Sequence, residues 1–209
     1  MTPAGVQIRA TQTAIPDDPD FHAAAAAAFA RQQALVLPRF LDAAMQATLG
    51  GVWRNAAFVR NGIKIAGSRA EETPPRGGQL LNLLLNRSAL RDWLERVTGL
   101  SPLAAASGAI VRMEAGPGDH LGWHNDQGDP ARRLAITINL GDAPYAGGRF
   151  EMRRRGGDDL LMHHDHVEPG TALVFAVSPA LEHRVTPMTA GGPRTVFTGW
   201  FLSEPPAKA

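Results

Sequence analysis

The spacing of hydrophobic positions changes partway along this chain. In the first hundred residues it follows the helical repeat: Phe21, Ala25, Ala28 and Phe29 share one face of a helix that Asp18 caps, Pro19 opens and Gln33 closes. "ALVLP" then reads as a short buried strand stopped by Pro38. A second helix is predicted after Asp42, fading at Gly50 and Gly51. In the third, capped by Ser88, Leu90, Trp93, Leu94 and Val97 form the stripe and Gly99 the stop. Between the second and third lies "SRAEETPPRGGQ", residues 68–79, whose Pro and Gly predict a mobile polar loop.

From about residue 106 the period shortens to two. "GAIVRM", "RLAITINL", "GRFEMRR", "DLLMHH", "TALVFAV", "EHRVTP" and "RTVFTGWF" are rich in β-branched and aromatic residues and are separated by Gly- and Pro-bearing turns. Seven such strands predict a mainly β chain with N-terminal helices and a double-stranded β-helix core of the jelly-roll or cupin-like kind. The expected organisation is a single domain over 1–209, with a mainly helical layer over 1–105 and the jelly roll over 106–203.

Composition narrows the partners. With 21 basic against 20 acidic residues, a net charge of +1 supplies no broad field for nucleic acid or an anionic membrane, so neither is expected. The absence of cysteine excludes disulfides and sulfur-ligated metals, and fits a reducing compartment. No secretory signal or apolar span is legible, and the expected location is cytoplasmic.

The candidate chemistry starts at "GWHNDQG", residues 122–128. On an extended strand His124 and Asp126 point the same way, presenting an imidazole beside a carboxylate. Alone, such a pair is usually a polar turn. A metal site needs a third ligand from another strand, and His183 in "EHRV" is the candidate. Two histidines and a carboxylate on one face of a metal are the arrangement of non-haem Fe(II) oxygenases. A second His-x-Asp in "MHHDHVEP" (His163, Asp165) alternates faces with His164 and His166 and is set aside, as is the helical zinc spacing of His120 and His124 among glycines. The Arg153–Arg155 run reads as a solvated hairpin tip; a functional reading has it meet an acidic substrate together with Arg132 and Arg133. Arg112 and Trp123 are candidates for the substrate pocket, while Trp200 and Phe201 are expected in the core.

"GWHND", then "LAITINLGDAPYAGGRFEM", then "VEPGTALVFAVSPALEHRVTPMTAGGPRTVFTGWF" together resemble the iron(II)- and 2-oxoglutarate-dependent dioxygenases, in particular the prolyl-hydroxylase-like branch, over about residues 108–201. The resemblance implies that His124, Asp126 and His183 ligate Fe(II), and that Arg194 binds the distal carboxylate of the cosubstrate 2-oxoglutarate. A guanidinium suits that task because its fork donates two parallel hydrogen bonds and stays charged when desolvated. It also implies O2-dependent hydroxylation of a C–H bond, with release of succinate and CO2. Halogenating relatives lack the ligand Asp, so Asp126 favours hydroxylation.

The chain departs from the family in three places. Arg194 follows His183 at a spacing about one residue longer than usual, which Gly191, Gly192 and Pro193 can absorb in a turn. Val196 stands where a hydroxyl residue is frequent, and Met113 where many relatives place a Tyr. The substrate implied is a small molecule or a peptide or protein, with a peptidyl or free amino-acid side chain favoured. Two other readings stay open: a cupin-like metal-dependent hydrolase or isomerase, and a non-enzymatic module that binds a small carboxylate.

Overall fold

The computed structural model describes residues 5–63 and 67–205. Its first half runs β1 (Gln7–Ile8), β2 (Thr13–Ala14), α1 (Pro19–Gln32), β3 (Ala34–Leu37), α2 (Ala43–Trp53), β4 (Ala57–Ile63), β5 (Gly67–Thr73), α3 (Arg76–Leu85) and α4 (Ser88–Thr98). The second half is all strand: β6 (Ala105–Met113), β7 (Leu121–His124), β8 (Arg132–Asn139), β9 (Tyr145–Gly147), β10 (Phe150–Arg154), β11 (Leu160–His164), β12 (Ala172–Ala176), β13 (Leu181–Val185), β14 (Met188–Gly191) and β15 (Arg194–Leu202). One large antiparallel sheet has the order β11-β10-β13-β7-β5-β6-β15-β8-β12-β3, with β4 paired to β5. It curls until Phe175 of β12 meets Phe150 of β10, ring centroids 4.7 Å apart, although the two strands lie far apart in that order. The result is a mainly β, jelly-roll fold with helices on its outer face.

Strand alternation sorts the side chains. On β15, Phe197 and Phe201 point outward and pack under α3 and α4 against Leu81, Leu85, Leu90 and Trp93. Arg194, Val196, Thr198 and Trp200 point inward and line a cavity. At about 1.5–3 kcal/mol for each fully buried large apolar side chain, Leu90, Leu94, Trp93 and Val97 are enough to dock α4.

The caps behave largely as the sequence predicts. Asp18 accepts from the Asp20 N–H, Asp42 from the Met45 N–H, and Gly99 ends α4 at φ 70°. Ser88 is already inside α4, and Arg87 takes the capping position without a side-chain bond. Three strands of the first half, β3, β4 and β5, join the main sheet, so that half is more than a helical layer. The loop expected over 68–79 is instead the rest of β5 followed by the start of α3. Its glycines serve close approach. A Cβ on Gly77 would lie 2.6 Å from Ile110 Cδ1 and 3.0 Å from Glu72 Oε1. The buried Glu72 carboxylate accepts from the Gly77 and Gly78 N–H groups, each at 2.9 Å, and so caps the positive end of α3 from the preceding strand.

A second buried carboxylate fixes the turn before β7. Asp119 accepts from Arg60 Nη1 at 2.8 Å, from Arg60 Nη2 at 3.1 Å, from the Glu114 N–H at 2.9 Å and from the Ser68 hydroxyl. Burial raises its pKa, but the Arg60 and Ser68 hydrogen bonds outweigh that and hold it below the usual carboxylate range. A depressed folded-state pKa stabilises the fold above the unfolded value, and that stabilisation is lost as pH falls through the folded one. Asp119→Asn is therefore expected to cost about 2–3 kcal/mol at neutral pH, with the gap to wild type closing below about pH 4. Thermal melts across pH check both; a constant gap would contradict the assignment.

Among the described residues no helix is long and apolar enough to cross a membrane.

Candidate metal centre

His124 ends β7, and a bulge brings it inward. β7 pairs with β13 through His124↔His183 and Val185↔Leu121, so three steps on β7 oppose two on β13. That extra residue is why both Leu121 and His124 face the cavity. His183 sits opposite on β13, in the strand expected for it, with its ring 4.1 Å centroid to centroid from that of His124. Asp126 arrives by a different route from the one the sequence suggests. The strand has ended, and Asp126 lies in left-handed backbone, φ 58°, which turns its carboxylate back between the imidazoles.

The geometry is tight. His124 Nε2 lies 3.4 Å from Asp126 Oδ1, and His183 Nε2 lies 3.5 Å from Asp126 Oδ2. One donor atom from each of the three falls within 4.8 Å of the others, and among the described residues no second such cluster forms. His124 Nδ1 is 2.8 Å from the Gly122 carbonyl, so that nitrogen carries the proton and Nε2 presents a lone pair to the site. The His183 ring packs against Phe175 and Phe150, centroids 4.6 and 5.7 Å away. Burial, with the neighbouring His124, lowers the His183 pKa to about 3 and keeps the imidazole neutral. Burial would raise the Asp126 pKa, but the hydrogen bond with His124 and the charges of both histidines bring it to about 2. Burial lowers the His124 pKa, but its hydrogen bond and attraction to Asp126 outweigh that and raise it, so a divalent metal, which needs both imidazoles neutral, displaces any proton held there.

Trp200, expected in the core, belongs to this site. Its Nε1 donates to Asp126 Oδ2 at 2.8 Å, and its ring lines the cavity with Arg132 stacked 3.7 Å above the centroid. Arg132 also donates to the Asp126 carbonyl at 3.1 Å. Phe201, the other residue expected in the core, is fully buried there. Outer partners of this kind set ligand orientation, so Trp200→Phe is expected to weaken Fe(II) affinity by roughly 10- to 100-fold with the fold intact. Metal competition titration reads this; unchanged affinity would remove Trp200 from the site.

Arg194 opens β15 after a turn through Gly191 (φ 64°) and Gly192 (φ 89°), and its side chain is buried. Its Nε has no hydrogen-bond partner, and Nη1 reaches only Met113 Sδ, at 3.7 Å. No carboxylate among the described residues pairs with it. Burial pushes its pKa down, and the adjacent Tyr145 hydroxyl partly offsets this. Tyr145, the single tyrosine of the chain, donates to the His166 carbonyl. Gly148 leaves room for both side chains: a Cβ there would lie 3.0 Å from Arg194 Cδ and 3.5 Å from Tyr145 Cε2. The Tyr145 contact, made from a short two-stranded sheet of β9 and β14, carries no signal in the strand pattern.

Two other candidates lie elsewhere. Arg112 is outside the cavity, because the alternation that turns Val111 and Met113 inward turns it outward, its guanidinium 3.8 Å above Phe58. Trp123 faces an outer cleft beside Asn125 and Gln127, with Arg153 and Arg184 over its ring at 4.0 and 4.7 Å. Arg153 is bound to Glu182 at 2.7 Å, so it is less free than a solvated hairpin tip would be.

A half-buried triad of this composition, in a jelly roll with an unpaired buried arginine, agrees with what comparison shows. Residues 108–202 match the family described as the 2OG-Fe(II) oxygenase superfamily. The match spans a little under half of the chain and includes all three residues of the triad. Members of this superfamily are oxidoreductases that use Fe(II), 2-oxoglutarate and O2. No functionally curated protein matches the chain. Among solved structures, a 2OG-Fe(II) oxygenase family oxidoreductase from Burkholderia pseudomallei superposes with TM-score 0.66 at 18% identity, covering 97% of each chain. A Pseudomonas putida prolyl-4-hydroxylase gives 0.65 at 17% identity, covering 88% of this chain and 99% of its own. The α-ketoglutarate-dependent epimerase SnoN from nogalamycin biosynthesis gives 0.65 at 15%, covering 88% of this chain and 84% of its own. At these identities the likeness shows the shared fold alone.

Proposed function

We propose that this 2OG-Fe(II) oxygenase hydroxylates a C–H bond of an amino-acid side chain, free or within a peptide, with Fe(II) held by His124, Asp126 and His183 and the distal carboxylate of 2-oxoglutarate held by Arg194. The observation that carries the reading is Arg194: a buried cation with an orphaned Nε and no acidic partner, in the cavity that the triad lines. An uncompensated buried charge is costly, and a bound carboxylate removes that cost. A hydrolase or isomerase using the same triad gives Arg194 no task.

The donor set fits Fe(II), since two imidazoles and a carboxylate gathered on one side leave the other side to exogenous ligands. When bound, iron and 2-oxoglutarate supply an oxidant that breaks a C–H bond; one atom of O2 enters the new C–OH and the other enters succinate as CO2 leaves. The chain's own part is positional. The Gly122 carbonyl fixes the His124 tautomer, Trp200 holds one oxygen of Asp126, and Phe150 and Phe175 shield His183 from water. Tyr145 packs beside Arg194 across Gly148, a polar neighbour where Met113 offers only its sulfur.

Oxygen uptake tests the reading. Purified protein given Fe(II), 2-oxoglutarate and a mixed pool of amino acids and tryptic peptides is expected to consume O2 and release succinate in equal amounts. Substrate conversion without O2 uptake would contradict it.

A further inference from the structure

Arg194 is not the only cation in the cavity. Arg69, on β5, lines the same space as His124, Asp126 and His183. It lies on the cavity face of its strand, as does Glu71, which pairs with the cavity-lining Val111. Among the described residues no carboxylate comes within 4.0 Å of its guanidinium, and no hydrogen bond to it is formed. Burial lowers its pKa, and Glu71 and Asp126 act on it only through their charge.

The two arginines come from different strands of the site, on either side of β6. Arg69 is on β5, which pairs through Gly67 with Leu121 of β7, the strand that ends at His124, whereas Arg194 opens β15 on the far edge of β6, opposite Met113. If Arg194 holds the distal carboxylate of the cosubstrate, Arg69, on the strand that pairs with β7, is the cation left in the cavity for a second carboxylate beside the metal ligands. The outer cleft that reaches His124 and Asp126 is also basic at its rim, with Arg132 and Arg155 lining it, and its Glu182 is neutralised by Arg153 at 2.7 Å.

We infer that the primary substrate is a small carboxylic acid, such as a free amino acid, whose carboxylate is bound by Arg69 beside the metal centre. The inference rests on the hydroxylase reading and narrows it. A guanidinium fork is matched to a carboxylate, and a partly desolvated one lacking a partner discriminates strongly against neutral analogues. A residue inside a peptide has its carboxylate consumed in an amide bond and offers Arg69 no anion at that distance.

The test uses the Fe(II)-loaded protein with saturating 2-oxoglutarate and O2. Succinate release is measured with three probe sets: the free L-amino acids and simple aliphatic carboxylic acids, the corresponding primary amides, and N-acetyl amino-acid amides. Stimulation by one or more acids, and not by the matching amides, is expected. For that acid, Arg69→Gln is expected to raise KM by roughly 10- to 100-fold, with Arg69→Lys recovering part of the loss. Equal stimulation by amides or capped residues, no stimulation by any acid, or an unchanged KM in Arg69→Gln would each overturn the inference. Anaerobic absorption of the Fe(II) and 2-oxoglutarate complex keeps the two claims apart: its absence in wild type rejects the hydroxylase reading, and its presence with a negative acid panel rejects only the assignment of Arg69.

Discussion

The His183→Ala variant is expected to bind Fe(II) more than about 100-fold more weakly than wild type and to release no succinate, since even residues behind the ligands contribute 10- to 100-fold. The loss follows from geometry. His183 Nε2 stands 3.5 Å from Asp126 Oδ2 and supplies the donor that completes the triad, and the remaining pair of His124 and Asp126 cannot enclose a metal from three directions. The fold should survive, although truncating the ring leaves a gap against Phe150 and Phe175, so some thermal stability is lost. Metal competition titration with circular dichroism separates the two effects. A folded variant that keeps wild-type iron affinity would mean that His183 is a packed core histidine.

The second large effect is at Arg194. Arg194→Met is expected to raise the KM for 2-oxoglutarate by roughly 10²- to 10³-fold, the cost of leaving a buried carboxylate without its partner. Its effect on the ligand-free protein has the opposite sign. There Arg194 is a buried cation with an unbonded Nε, and replacing it by an apolar side chain of similar length relieves that cost. The ligand-free variant is therefore expected to melt no lower than wild type, while the thermal shift produced by 2-oxoglutarate disappears. Steady-state kinetics and melts with and without 2-oxoglutarate check both halves. A variant that loses stability and keeps its KM would make Arg194 a structural residue.

Much of the β half was legible because one face of each strand meets the helices and the other meets the cavity, which imprints a period of two on Arg194–Leu202 and Arg132–Asn139. His183 was placed by the same logic. What escaped had its signal masked by local chemistry. β5 and the start of α3 read as a loop because Pro74, Pro75, Gly77 and Gly78 are the usual marks of one, yet here the glycines admit Ile110 and Glu72. Burying Glu72 is tolerable only because α3 offers it two backbone donors, and no local pattern announces that partner. The pairing of His124 with Asp126 was anticipated with the wrong backbone, since left-handed φ at Asp126 does the work assigned to strand alternation. Trp200 looked like core because an inward aromatic on a strand has the same pattern whether it meets leucine or a carboxylate. Arg69 has no motif at all, and emerges only when β5 is folded against β6 and β7.

In the proposed hydroxylase one cavity holds Fe(II) on His124, Asp126 and His183 and 2-oxoglutarate on Arg194. Anaerobic titration of the metal-free protein with Fe(II) and 2-oxoglutarate, followed by visible absorption, tests it most directly. Expected is a charge-transfer band that requires both additions, is absent in His183→Ala, and needs far more 2-oxoglutarate in Arg194→Met. A well-folded wild-type protein that gives no band, or a band indifferent to both substitutions, would contradict it.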